Sequence, residues 1–108
     1  MSERVAILQR LDPTQVDEYV EAHEEVPEAV SSAMKQGGVE EYELFVTGNI
    51  AVGVVTVNDF DTFVEQYRDD PQTQEWEARV DQFKLSGVDP ETMEMPTMER
   101  IWRLSDEA

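Results

Sequence analysis

The chain is 108 residues long with no cysteine, and its 25 Asp and Glu against 8 Lys and Arg give a formal net charge of -17. That length holds one packed domain with much of its surface wet. The lack of thiols excludes disulfide staples, thiolate metal sites and cysteine nucleophiles. The acids are dispersed through the sequence, so nearly every face repels a phosphate backbone, which excludes nucleic acid and anionic membranes as partners. Two readings of the acidity remain, a basic partner or solubility in high salt, and the spread over many predicted outer faces favours solubility. Lysine is scarce, present only as Lys35 and Lys84, which fits. The expectation is a halophilic, cytoplasmic protein: the N-terminal apolar run VAIL is too short for a signal-peptide core, and no stretch reaches transmembrane length.

In chain order, Arg4 to Leu11 reads as a strand ended by Asp12-Pro13. Asp12 has the look of an N-cap, with Pro13 at the first helical position and Gln15 three residues after the cap. The helix it opens is predicted to run to Gln36, where Gly37-Gly38 stops it, and Pro27 inside it predicts a kink just after His23. Val16, Tyr19, Val20, Val26, Val30 and Met34 step by three and four along one helical face. His23, the sole histidine, falls on that inward face.

Val39 to Val46 and Ile50 to Val57 read as two strands joined through Thr47-Gly48-Asn49. The second, IAVGVVTV, is nearly apolar on both faces, as a central strand covered on each side would be. Asn58 or Asp59 caps a helix through Tyr67 that carries Phe60, Phe63, Val64 and Tyr67. Asp70-Pro71 starts a further helical segment with Trp76, Val80 and Phe83. SGVDPETMEMP reads as a loop, Thr97 to Leu104 as a last strand with Ile101 and Trp102, and residues 105–108 as a frayed acidic tail. The order β-α-β-β-α-β is the ferredoxin-like α+β pattern. Its helices cover one sheet face, and small domains of this kind commonly pair sheet to sheet as a homodimeric barrel.

Chemistry is sparse. There is no metal-binding motif, a lone histidine cannot chelate with the adjacent Glu24 and Glu25, and neither a P-loop nor GxGxxG appears, so no metal and no cofactor is expected. Tyr19 and His23 are one helical turn apart and point into the same space. An imidazole titrates near neutrality and a phenol can bond a substrate oxygen, which suits acid-base chemistry. The same pair also reads as packed core, and so does Trp76 beside Val80 and Phe83. On the residues alone both readings stand.

Six stretches taken in order resemble the L-rhamnose mutarotase family: VAILQRL, EYVEAHEEVPE, GVEEYELFV, DFDTFVEQY, QEWEARV and MERIWRL. The resemblance spans almost the whole chain. It implies a dimeric α+β barrel of ferredoxin-like subunits that interconverts the anomers of L-rhamnose without a cofactor. It further implies that His23 is the proton-donating histidine, with Tyr19, Tyr42 and Trp76 contacting the monosaccharide. Where the family shows adjacent tryptophans this chain is read as having Glu75-Trp76, which makes Glu75 a candidate acceptor for extra sugar hydroxyls. The interval from the histidine to Pro-Glu is one residue shorter than the family's and has Val26 in place of a tryptophan. Two alternatives belong to other classes: a non-catalytic barrel that binds a small ligand, and a barrel monooxygenase or haem-binding protein in which His23 is the iron ligand.

Overall fold

The computed structural model describes residues 2–107. One antiparallel sheet runs in the order β2-β3-β1-β4, where β1 is Glu3–Leu11, β2 Val39–Thr47, β3 Ile50–Val57 and β4 Lys84–Ser86; β5, Thr97–Met98, also pairs with β1. The helices are α1 (Val16–Ala22), α2 (Glu28–Gln36), α3 (Phe60–Arg68) and α4 (Pro71–Asp81). This is the ferredoxin-like α+β arrangement expected from the order of elements. Pairing is longest between β1 and β3, from Glu3 opposite Val57 to Arg10 opposite Ile50.

Period-two alternation decides which side chains meet the helices. On β3 Ala51, Val55 and Val57 are fully buried, and on β1 Ile7 and Leu11 are too. Tyr19, Val30, Phe63, Tyr67, Trp76 and Val80 come down from the helices to close this core. The intervening residues Ala6, Leu8, Val52 and Val54 are only half-buried, so the second face of the central strands is partly open within one chain.

Both caps in the second half form as expected. Asp59 accepts from the Thr62 amide at 3.1 Å to open α3, and Asp70 accepts from the Gln72 amide at 2.8 Å to open α4 with Pro71 behind it. The first half differs from expectation. Asp12 bonds the Thr14 amide and hydroxyl at 2.9 and 2.7 Å, closing a local turn, so α1 starts only at Val16. The predicted kinked helix is in fact two helices. Val26, the residue before proline, is extended at φ -67° and ψ 126°, and Pro27 caps α2 from outside it. A proline ring crowds the residue before it out of helical space, and that ends the first helix.

The C-terminal third differs too. The helical segment expected to carry Phe83 ends at Asp81 and is followed by the unexpected strand β4, whereas the last strand shrinks from Thr97–Leu104 to the two residues of β5. Beyond it Ile101, Trp102 and Leu104 are 91, 62 and 71 % exposed. β5 pairs with β1 only at Ala6 and Ile7, and among the described residues the segment beyond it adds no further strand pairing.

Candidate active site

The site starts where α1 ends. The helix gives way to a single 3-10 turn, His23–Glu25. His23 Nδ1 lies 2.8 Å from the Tyr19 carbonyl oxygen. A carbonyl only accepts, so Nδ1 carries the hydrogen and Nε2 of the neutral ring presents a lone pair. Tyr19 and Trp76 hold the imidazole from two sides, with ring centroids 4.5 and 5.2 Å away. Burial keeps the imidazole pKa below its ordinary value, the carbonyl bond offsets part of this, and the positive charge of Lys84 lowers it further.

These rings form one wall of a cavity of about 400 Å³ between the helices and the sheet. Its size falls in the ~300–1,000 Å³ range of small-molecule sites. Gln9 reaches it from β1, between Ile7 and Leu11, and donates from Nε2 to the Tyr19 hydroxyl at 3.3 Å. Gln9 Oε1 is buried with no partner among the described residues. The glutamine packs against Gly87, where a Cβ would come within 2.8 Å of Oε1. Tyr42 descends from β2 and lies across Gly53, where a Cβ would meet its hydroxyl at 2.5 Å. Only the missing side chain at residue 53 leaves room for that phenol.

From α3 and α4 come Tyr67 and Glu77, whose side chains meet as the Tyr67 hydroxyl donates to Glu77 Oε2 at 3.3 Å. Thr73 fixes the junction of the two helices by donating to the backbone carbonyls of Tyr67 and Asp70. Burial raises the Glu77 carboxyl pKa, against the pull of the Lys84 charge and the Tyr67 bond; Asp81 adds to the rise. Lys84, the first residue of β4, also lines the cavity. Burial lowers its ammonium pKa, and the negative charges of Glu77 and Asp81 offset part of that. Burial pushes the phenols of Tyr19, Tyr42 and Tyr67 far above the usual tyrosine value, so they stay protonated and serve as hydrogen-bond donors.

The fold therefore brings together four of the five residues singled out in the sequence: Tyr19, His23, Tyr42 and Trp76. Glu75 is the exception. It is exposed and lies outside the cavity, because the inward face of α4 is Thr73, Trp76, Glu77 and Val80. Residues one apart on a helix diverge by about 100°, and Glu75 falls on the solvent side. The carboxylate beside the tryptophan is Glu77. Its place four residues after Thr73, one after Trp76 and three before Val80 was visible in the sequence, as was the place of Gln9 on the inward side of β1. Tyr67 was read only as part of the apolar face of α3. Lys84 had no such signal, since its strand exists only by pairing with β1.

A ferredoxin-like sheet whose covered face holds a small cavity, ringed by an imidazole, phenols, a carboxyl, an ammonium and an indole, defines a small α+β protein equipped for acid-base chemistry on a polar ligand. The sequence profile of the L-rhamnose mutarotases matches residues 4–104, and the chain belongs to that family of carbohydrate isomerases. An L-rhamnose mutarotase from Formosa agariphila superposes with a TM-score of 0.76 at 17 % identity, over 94 % of this chain and 98 % of that one. The tetracenomycin F2 cyclase of Streptomyces glaucescens, a type-II polyketide cyclase, gives 0.58 at 22 % identity, over 96 % and 88 % of the two chains. An antibiotic biosynthesis monooxygenase gives 0.61 at 11 %, over 94 % and 99 %. At these identities the similarity is one of fold. No curated protein matches the chain by sequence. Among the described residues, no helix is long and apolar enough to cross a membrane.

Proposed function

We propose that the protein is a mutarotase that opens and recloses the pyranose ring of L-rhamnose or a related aldose. The observation that carries this reading is the His23 imidazole, locked by the Tyr19 carbonyl with its Nε2 lone pair free, in a cavity whose other polar groups suit sugar hydroxyls. Ring opening removes the proton of the anomeric hydroxyl, and His23 in its neutral form is the acceptor. On reclosure it returns that proton to O1. The sequence alone reads His23 as the acid toward the ring oxygen and leaves the base unassigned; the tautomer set by the Tyr19 carbonyl favours the acceptor role at the anomeric hydroxyl instead. Tyr19, Tyr42 and Gln9 orient hydroxyls, and Trp76 covers an apolar face of the ring. Mutarotation proceeds in water unaided, so positioning together with acid-base transfer supplies enough acceleration.

Magnetisation-exchange NMR on L-rhamnose anomers tests this. Wild-type protein accelerates exchange, and His23→Ala lowers the acceleration by ~10²–10⁴-fold, the usual contribution of a positioned acid or base. Folded wild-type protein that leaves every aldose unaccelerated would sink the proposal.

The working unit is a homodimer. The half-open sheet face and the exposed run Met98, Ile101, Trp102 and Leu104 together present apolar surface that a second copy would cover. The acidity is a device for life in concentrated cytoplasmic salt. Among the described residues a single ion pair occurs, Arg68 with Asp69 at 3.2 Å, so most carboxylates face water and repel one another until salt screens them. Thermal melts from molar to millimolar salt should show a falling midpoint; a constant midpoint refutes this.

A further inference from the structure

Opening a pyranose takes two proton transfers at once, one from the anomeric hydroxyl and one to the ring oxygen. His23 serves only the first, because its Nδ1 hydrogen is held by the Tyr19 carbonyl and its free nitrogen is an acceptor. The second group has to line the same cavity and own a transferable proton. Trp76 and Gln9 have none to give near neutrality, and the phenols of Tyr19, Tyr42 and Tyr67 are held too firmly protonated. Lys35, Glu40 and Glu41 lie at the exposed mouth. Glu77 and Lys84 remain.

Resting on the mutarotase reading, we propose that Lys84 is the second catalytic residue, its ammonium delivering the proton to the ring oxygen, with Glu77, which lines the same cavity, contributing a negative charge that favours the ammonium form without an ion pair. Glu77 Oε2 is engaged by the Tyr67 hydroxyl, which ties the carboxylate in place. Among the described residues Lys84 forms no ion pair within contact distance, so its Nζ is open to a ligand. The groups its charge acts on are His23 after α1 and Glu77 and Asp81 on α4, and the phenols of Tyr19, Tyr42 and Tyr67 line the same cavity. Burial pulls the ammonium below the ordinary lysine value, toward the range in which it gives up a proton readily.

The step balances. His23 Nε2 takes the proton of the C1 hydroxyl, the C1–O5 electron pair leaves with O5, the C1 carbonyl forms, and O5 takes a proton from Lys84 Nζ. The site then holds an imidazolium, a neutral amine and the open aldehyde. Rotation about C1–C2 presents the other carbonyl face. The O5 hydroxyl adds to C1 and returns its proton to Lys84, while O1 regains the proton held by His23.

In NMR titration of the lysine side chains, Lys84 should titrate below the ordinary lysine value, and lower still in Glu77→Gln. A Lys84 that titrates at the ordinary lysine value would overturn the proposal. In the exchange assay, wild-type activity should fall on an alkaline limb set by Lys84. Lys84→Arg keeps the charge beside Glu77 but cannot release a proton near neutrality, so it should lose ~10²–10⁴-fold in kcat with KM little changed, and lose the alkaline limb. Lys84→Met should do the same; if it misfolds, the arginine variant carries the readout. An active wild type whose arginine variant keeps full rate and the same limb overturns the role of Lys84 alone. A wild type inert toward every aldose removes the mutarotase reading and this role with it.

Discussion

Residues 4–11 and 97–104 both read as strands in the sequence, yet only the first becomes one along its length. β1 is paired with β3 along its length and at four positions with β4 and β5 on its other edge, and its alternate side chains reach the core. The C-terminal segment pairs with β1 at Ala6 and Ile7 and then parts from it, leaving Ile101, Trp102 and Leu104 in solvent. Apolar alternation licenses a strand, but a neighbouring edge makes it. In this protein a strand-like segment yields a core where a paired edge is supplied, and an exposed apolar surface where it is not.

The sharpest way to separate the two regions is truncation. Leu11 is fully buried at the end of β1, so Leu11→Ala should cost about 2–5 kcal/mol and lower the denaturation midpoint accordingly. A cost below that of a surface change would mean the covered face is not the core.

Next in size is Gly53→Val on the central strand. Its side chain would collide with the Tyr42 phenol, so a loss of about 1–3 kcal/mol is expected, with weaker sugar binding by calorimetry because the phenol is displaced. Unchanged affinity would show that Tyr42 is not part of the site.

The pH profile probes the covered face without a mutation. The imidazole of His23 has a lowered pKa, so it stays neutral to more acidic pH than a free histidine. Only the neutral ring accepts a proton, so the acidic limb of the exchange rate should lie below 6.5 and activity should be lost as pH falls through that limb. A limb at or above 6.5 would contradict the burial of His23 in the working site.

The smallest expected effect on the folded chain belongs to the exposed segment. Trp102→Glu should change chemical stability of the monomer by no more than about 0.5 kcal/mol, while light scattering shows the dimer dissociating. A dimer that survives intact would place its interface elsewhere.

Much of this was legible in the residues. The compact apolar runs VAIL and IAVGVVTV give the two central strands, and Asp59 and Asp70-Pro71 mark the starts of α3 and α4, because caps and apolar runs are local features of the sequence. The three-and-four spacing placed Tyr19 and His23 on one inward face. Pro27 announced the break beside the histidine, though not that the chain would leave the helix entirely there. Tertiary structure alone decided the rest. It chose Glu77 over Glu75 by the rotation of α4 against the sheet, and it opened the cavity to Gln9. It also carried Lys84 to the site on a three-residue strand that exists only by pairing with β1. A helix face is written in spacing along one segment, whereas the meeting of a lysine, a carboxylate and an imidazole from three segments depends on how those segments pack, and no local pattern records it.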